Sequence, residues 1–331
     1  MPGGGEAGSV IEATGIERRH ICDRYGKITT SDLCFQAASK LIAELGWDKE
    51  SVDAIGYCTQ TPDYLNHPTG FLVHERLGLP ETCMVFDYYH GCPGWVTSLA
   101  NLASMLGTGS IHRAILLDGD EVSVQKGAND REGRPLFGDA GSATALEYQE
   151  GSVMQFNVGT RSSEGRALIN RHGGCRCPWT LETLKADLDR RAGLIPLEQG
   201  DGMDSMDVFS FGITKVPKAI KRLCENFGID LNNVDRLVLH QANRIMLEKI
   251  VRKLKFDMAK VPMSLRNYGN TTSVSIPLTI AASCREAFSS GKVRTIACGF
   301  GTGLAYGAVY FETDSIAVPE VMVYNEDKNN G

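Results

Sequence analysis

Residues 85–95 read VFDYYHGCPGW, and the reading of the whole chain turns on them. A β-rich run ends at a glycine-containing turn, and the helical repeat of WVTSLANLASML (95–106) starts directly after it. A strand feeding a helix through a tight turn is the repeating unit of an α/β fold. Cys92 stands at that junction. A thiol there faces the positive end of the helix dipole, so the position predicts a lowered pKa and a nucleophilic thiolate. Gly91 and Gly94 permit a sharp turn and close approach of substrate, as in a nucleophile elbow.

The same alternation extends in both directions. VDAIGYCT (52–59) and AILLDGDEV (114–122) read as strands, DLCFQAASKLIAEL (32–45) as a helix, and SATALEY (142–148) and SVMQFNVGT (152–160) as further strands. The second part repeats the theme. VPKAIKRLCENFGI (216–229) is a helix stopped by Gly228, VDRLVLH (234–240) a strand, and QANRIMLEKIVRKLK (241–255) the helix that follows it. SIPLTIAASCREAFSSG (275–291) reads as one helix with Pro277 in its first turn, and RTIACGFGTGLAYGAVYFE (294–312) as two strands around a glycine-rich turn. The chain therefore divides into a first half over 1–159 that carries the nucleophile, an insertion over 160–205 that caps something, a second half over 206–315, and a tail over 316–331.

Composition narrows the function. The 331 residues are 42% hydrophobic, enough for a sizeable core. A net charge of −6 argues against bulk binding of nucleic acid. No apolar run is long enough for a membrane helix, and MPGGGEAGS at the start lacks the apolar core of a signal peptide, so the expected location is the cytoplasm. Seven of the ten cysteines other than Cys92, Cys175 and Cys177 stand singly in apolar or mixed contexts and read as small buried hydrophobes. Cys175 and Cys177 lie near His172 in HGGCRCP, but no second Cys/His pair stands at zinc spacing, and the stretch reads as a surface loop with no metal.

Three other places carry chemistry. In LVLHQAN (237–243), His240 ends an apolar strand at the carboxyl edge of a sheet, where α/β folds build their sites. In NYGNTTSVSIP (267–277), Asn270 lies in a polar turn before a helix, either as a turn residue or as an amide donor to a developing oxyanion. In CGFGTGLAYG (298–307), a glycine-rich turn can aim backbone N–H groups at an oxyanion; no Gly-Lys-Ser/Thr follows, so it is not a phosphate loop.

The order Cys92, His240, Asn270, with HQAN (240–243) and GNTTSVSIP (269–277), resembles the β-ketoacyl-acyl carrier protein synthase III family of the thiolase fold. TGIERRH (14–20), FGDAGSA (137–143) and GFGTG (299–303) extend the resemblance in the expected order. It implies a five-layered α-β-α-β-α architecture from two similar halves, a homodimer, and a decarboxylating Claisen condensation. No cofactor would be tightly bound; the substrates would be acyl and malonyl thioesters of coenzyme A or acyl carrier protein. Cys92 would take the acyl group, and His240 and Asn270 would bind the malonyl thioester carbonyl while carbon dioxide leaves. Backbone N–H groups of Cys92 and Thr302 would hold the tetrahedral oxyanion, with Phe300 beside the His and Asn. Asn243 and Arg244 would meet the pantetheine or carrier, and His67, in TPDYLNHPTG (61–70), would stand at the acyl-tunnel mouth. Neutral His and Asn donors would stabilise an enolate without quenching the carbanion, each worth about 3–4 kcal/mol at the transition state.

The sequence also departs from that family. Only MPGGGEAGSVIEA precedes TGI, where the family has a strand and a loop, so the start is expected to be truncated or the strand absent. Ser9 stands where relatives carry the Trp that stacks on adenine, and Ala13 where they carry an Arg; the Arg that follows HQAN is displaced by one place to Arg244. These departures favour a carrier-protein donor and a specialised pathway. Other readings are a heteroatom acyltransferase, a type III polyketide synthase, and a weakly active subunit of a heterodimer.

Overall fold

The computed structural model describes residues 10–22, 28–126, 133–191 and 202–324. Helix α1 (Thr30–Leu45) leads to β1 (Ala54–Thr59), α2 (Thr69–Leu77), β2 (Met84–Tyr89), α3 (Gly94–Gly107), β3 (Arg113–Asp120) and β4 (Ala140–Glu147). After β5 (Met154–Thr160) come β6 (Leu168–Ile169), α4 (Leu181–Arg191), β7 (Gly202–Met203), α5 (Ser205–Phe227), β8 (Arg236–Leu239) and α6 (Arg244–Leu254). The chain then forms α7 (Leu265–Tyr268), α8 (Ser275–Ser283), α9 (Arg285–Ser290), β9 (Lys292–Gly301) and β10 (Ala305–Asp314).

The strands build two mixed sheets, ordered β2-β1-β3-β4 and β5-β10-β9-β8. In the first, β1 is parallel to β2 and β3, and β4 runs antiparallel to β3. In the second, β8 is parallel to β9, and β10 is antiparallel to both β9 and β5. Helices α1 and α2 cover one face of the first sheet, α3 and α8 lie between the sheets, and α5 covers the far face of the second with α6 packed against it. This is the five-layered α-β-α-β-α thiolase-like fold.

The cores follow the layers. Cys34, Ile42, Tyr57, Val73, Ile115 and Leu117 pack α1 and α2 on the first sheet. Trp95, Leu99, Leu102, Leu116, Ile276 and Ala297 join the central helices to both sheets. Phe211, Ile220, Leu223, Leu247, Ile250 and Ile296 lie under α5 and α6. Because α3 has a sheet on each side, its apolar residues cover most of its circumference, as a buried helix requires.

Three differences from the sequence reading have physical causes. β5, counted with the first half, pairs along its length with β10 and belongs to the second sheet, so the crossing between sheets falls before it. The single helix read over 275–291 breaks at Cys284, whose φ of −130° and ψ of 5° are not helical, into α8 and α9. The helix read from 241 starts instead at Arg244, because Asn243 adopts extended backbone and its side-chain oxygen accepts from Met246 N at 2.8 Å as an N-cap. Within the insertion, β6 and β7 pair antiparallel as a short ribbon. The tail is described to residue 324; Lys40 donates to the Glu320 carbonyl at 2.8 Å and Arg285 to that of Val318 at 2.9 Å. The last residues, NEDKNNG (325–331), lie outside the described residues.

Candidate active site

Cys92, His240, Asn270 and Thr302 converge on one cavity of about 1100 Å³ where the two halves meet. Cys92 sits on the turn between β2 and α3, His240 just past the end of β8, Asn270 between α7 and α8, and Thr302 between β9 and β10. Each of these residues thus comes from a strand end or from a loop entering a helix, where rigid elements fix short connections.

The turn that bears Cys92 is clamped from several sides. Gly94 N donates to the Gly91 carbonyl at 2.7 Å, and the buried Cys58 thiol donates to the His90 carbonyl at 3.6 Å. β9 comes so close that a Cβ on Gly301 would lie 2.8 Å from Cys92 Cβ and 3.1 Å from its sulfur. With φ at +154°, position 301 tolerates only glycine on conformational grounds as well. The sulfur is buried, and the backbone N–H groups of Cys92 and Thr302 both reach it. These donors lower the thiol pKa, but burial and the nearby Asp120 charge outweigh them and push it up to about 12. The acidified thiolate expected from the helix terminus is therefore not the resting state; the free enzyme holds a neutral thiol.

His240 is buried, and desolvation lowers its pKa to about 4, so the imidazole is neutral at physiological pH. Its Nδ1 lies 2.7 Å from Ser275 Oγ, and Phe300 meets the ring edge-on with centroids 5.2 Å apart. Asn270 accepts from Thr272 N at 2.9 Å through Oδ1, which settles the orientation of the amide and leaves Nδ2 as a donor. Thr272 adopts φ of +53°, an outlier for a β-branched residue. Its hydroxyl donates to Asp120, which also accepts from Gln60 N at 2.8 Å and Thr59 Oγ1 at 3.1 Å. Asp120 ends β3 in the first half, so this carboxylate ties the loop carrying Asn270 to the sheet whose strand β2 leads into Cys92. Burial holds its pKa up to about 6.

The remaining sequence candidates separate. Asn243 lines the cavity, whereas Arg244 turns away: its guanidinium donates to the Glu12 carbonyl and lies 3.8 Å from Glu248. Ile245 lines the wall in its place. His67 is exposed at the start of α2 beside Phe71 and does not reach the Cys92 cavity of its own chain. Ala13 lines the cavity; Ser9 lies outside the described residues. Within the insertion, Leu168 and Ile169 of β6 and Met203 of β7 line one wall of the cavity. Residues missed in the sequence are Asp120, Gln60, Ser275, Tyr89 and His90. Of these only His90, two places before the nucleophile, carried a local signal. His172 stacks on Trp179 at 5.8 Å, Cys175 and Cys177 are exposed, and no group of His, Cys, Asp and Glu among the described residues is arranged to hold a metal.

Comparison with known proteins agrees with this geometry. The family described as "3-Oxoacyl-[acyl-carrier-protein (ACP)] synthase III" matches residues 86–162, and its C-terminal counterpart matches residues 224–313. The β-ketoacyl-[acyl-carrier-protein] synthase III of Streptococcus pneumoniae is 30% identical over 303 residues, covering 91% of this chain and 89% of that protein. The chain belongs to the 3-oxoacyl-[acyl-carrier-protein] synthase III family. Among solved structures, the 3-oxoacyl-(acyl-carrier protein) synthase of Burkholderia xenovorans superposes with a TM-score of 0.87 at 30% identity, covering 96% of this chain and 89% of that one. The synthase III of Pseudomonas aeruginosa superposes with a TM-score of 0.79 at 26% identity, covering 94% and 90%. A priming β-ketosynthase from the R1128 polyketide pathway shares the fold at 19% identity and a TM-score of 0.78, covering 93% of this chain and 88% of that one. The protein is a condensing acyltransferase of the β-ketoacyl synthase III type. No helix among the described residues is long and apolar enough to cross a membrane.

Proposed function

We propose that Cys92 carries the acyl group and that His240 and Asn270 drive loss of carbon dioxide from the malonyl unit. The observation that carries this reading is that all three side chains line one cavity with the Cys92 and Thr302 N–H groups aimed at the sulfur. Sulfur attacks the acyl thioester, the carbonyl oxygen goes negative, and those two N–H groups receive it. The departing thiol leaves with the proton that the Cys92 thiol brought. The malonyl thioester then enters, and its carbonyl faces the Asn270 amide and His240. Loss of carbon dioxide leaves an enolate whose charge these groups stabilise, and its carbon attacks acyl-Cys92, expelling the Cys92 sulfur as thiolate, which takes a proton from water as the β-ketoacyl product leaves. Asn rather than a carboxylate at position 270 offers no general base, which favours a carbon nucleophile over an alcohol or amine.

The malonyl donor is read as an acyl carrier protein. Exposed Lys218, Lys221, Arg222, Lys249, Arg252 and Lys253 stand on the paired helices α5 and α6, beside the wall formed by Ile245 and Met246. Such a cationic face attracts an anionic carrier. The assembly is read as a homodimer through β2, an edge strand paired only with β1 among the described residues, with Met84 and Tyr89 exposed on it and Tyr64, Leu65 and Phe71 exposed nearby in sequence. In that arrangement His67, beside the same edge, would reach a partner's acyl tunnel. Ten free cysteines suit a reducing cytoplasm, and no tightly bound cofactor is invoked.

The test is mass spectrometry of the intact protein after incubation with a panel of acyl-coenzyme A thioesters. One acyl mass should appear on the peptide containing Cys92 and vanish in Cys92→Ala. Label that persists in Cys92→Ala, or that maps to another cysteine, overturns the assignment.

A further inference from the structure

Gly91, directly before the nucleophile, is glycine for space rather than for backbone freedom. It is not among the glycines with positive φ, so the turn itself does not demand it. A Cβ there would lie 2.8 Å from Gln60 Oε1 and 2.8 Å from Thr302 Oγ1, inside van der Waals contact of both. Without it a notch is left between those two oxygens. Gln60, Gly91, Cys92 and Thr302 all line the cavity, so the notch opens into it beside the sulfur.

The two oxygens differ in character, and neither is used elsewhere. Gln60 Nε2 donates to Asp120 Oδ2 at 3.3 Å. A carboxylate only accepts, so the amide nitrogen takes that side and Oε1, an acceptor, turns to the notch. The Thr302 hydroxyl both donates and accepts. Among the described residues neither Gln60 Oε1 nor Thr302 Oγ1 has a hydrogen-bond partner. A group that satisfies both must donate to one and bond the other. A hydroxyl donates to Oε1 and accepts from Oγ1. An ammonium only donates, a carboxylate only accepts, and a methyl group strips water from both oxygens and returns no bond.

Thr302 also limits where that hydroxyl sits on the chain. Its N–H is assigned to the acyl carbonyl oxygen and its own hydroxyl faces the notch. Both groups belong to one residue, so the substituent that reaches Oγ1 lies one or two carbons beyond the carbonyl.

We propose that the acyl group taken by Cys92 bears a hydroxyl on C2 or C3, which donates to Gln60 Oε1 and accepts from Thr302 Oγ1 in the notch at Gly91. The inference rests on the acyl-Cys92 reading above. The transfer itself is unchanged: the bond from the carbonyl carbon to the donor sulfur breaks, the bond to the Cys92 sulfur forms, the thiol proton leaves with the donor thiol, and the hydroxyl stays intact. The notch decides which acyl group is taken.

Four-carbon coenzyme A thioesters isolate the hydroxyl: butyryl, 2-hydroxybutyryl, each enantiomer of 3-hydroxybutyryl, and 3-aminobutyryl as the charged comparison. Each competes with butyryl on one protein sample, and initial gain of acyl mass on Cys92 is read by intact-protein mass spectrometry. One hydroxy thioester should be taken roughly 10- to 100-fold faster than butyryl, the effect of two neutral hydrogen bonds in a partly buried site. Gln60→Met removes the acceptor, Thr302→Val the hydroxyl and Gly91→Ala the space. Each should bring that ratio to within about threefold of unity, whereas Thr302→Ser should preserve it. A wild-type ratio below about threefold, a preference that survives Gln60→Met or Thr302→Val, or a preference for 3-aminobutyryl overturns the proposal. The ratio is internal to one sample, so a slower variant still reports it; should a variant fail to fold, the wild-type ratio decides. Label that persists in Cys92→Ala, or no label on Cys92 from any thioester, refutes the acyl-Cys92 reading itself, whereas equal labelling by butyryl and the hydroxy thioesters refutes only the notch.

Discussion

Asp120→Asn tests how the two halves are coupled. The Asp120 carboxylate is the point where β3 of the first half holds Thr272 of the second. An Asn retains Oδ1, and with it the bonds from Thr59 Oγ1 at 3.1 Å and Gln60 N at 2.8 Å. It replaces Oδ2 by an NH₂ that confronts the Gln60 Nε2 donor and can hold Thr272 only by donating to its hydroxyl, whose own proton then goes to the Thr271 carbonyl. Losing charge-assisted bonds of this kind costs about 3 kcal/mol. Against that, the buried charge disappears. Raising a carboxyl from its ordinary 3.8 to about 6 is itself a penalty of about 3 kcal/mol above that pH. The two effects oppose each other, so stability at pH 7.5 should change by less than about 2 kcal/mol. Activity should not be spared. Thr272 exchanges a charge-assisted bond for a weaker, reversed one, which loosens its unusual backbone and shifts the loop that carries Asn270. A misplacement on the order of 1 Å costs about 100-fold, which is the expected fall in malonyl decarboxylation. Cys92 should respond in the opposite sense. Asp120 raises its pKa, so its alkylation by iodoacetamide at pH 7.5 should speed up, by roughly tenfold for each pKa unit removed. The assay pairs carbon dioxide release with alkylation kinetics on one protein sample whose melting temperature is known. Decarboxylation within about threefold of wild type together with unchanged alkylation refutes the strut and the charge argument alike.

Asn270→Ala should still acquire the acyl mass on Cys92 but lose malonyl decarboxylation by roughly 100- to 1000-fold; condensation at wild-type rate would contradict the donor role of its amide. Stability should depend on pH through His240. Its folded pKa of about 4 lies below the ordinary 6.5, so the unfolded chain binds the extra proton between those values. Stability present above pH 6.5 is then lost as pH falls toward 4, by about 3 kcal/mol, and chemical denaturation of His240→Ala should lack that loss. Phe71→Glu or Met84→Lys, at exposed positions beside or on the β2 edge, should shift the species seen by light scattering from dimer to monomer; an unchanged mass argues against that interface.

The positions of Cys92 and His240 were legible in the sequence because each follows an apolar strand and precedes a helix, a local pattern set by residues within one turn of them. Asn270 and the glycine-rich turn at 299–303 were legible as a polar and a flexible break in otherwise regular stretches. Arg244 illustrates the limit. Neighbouring places at the start of a helix point about 100° apart, so a shift of one residue after HQAN turns the guanidinium to Glu12 and Glu248 and brings Ile245 to the cavity.

The sequence by itself determined the α/β alternation and singled out Cys92, His240 and Asn270, the residues proposed to carry the chemistry, because hydrophobic period, turn chemistry and motif order act over short stretches of chain. Tertiary structure alone decided which sheet β5 joins, that burial and Asp120 keep Cys92 a neutral thiol, and that Asp120, Thr272 and Ser275 stand behind Asn270 and His240. Asp120 and Thr272 are 152 residues apart, and Ser275 is 35 residues from His240. Desolvation, long-range charge and hydrogen bonds across such separations exist only once the two halves are packed together, so no local pattern can announce them.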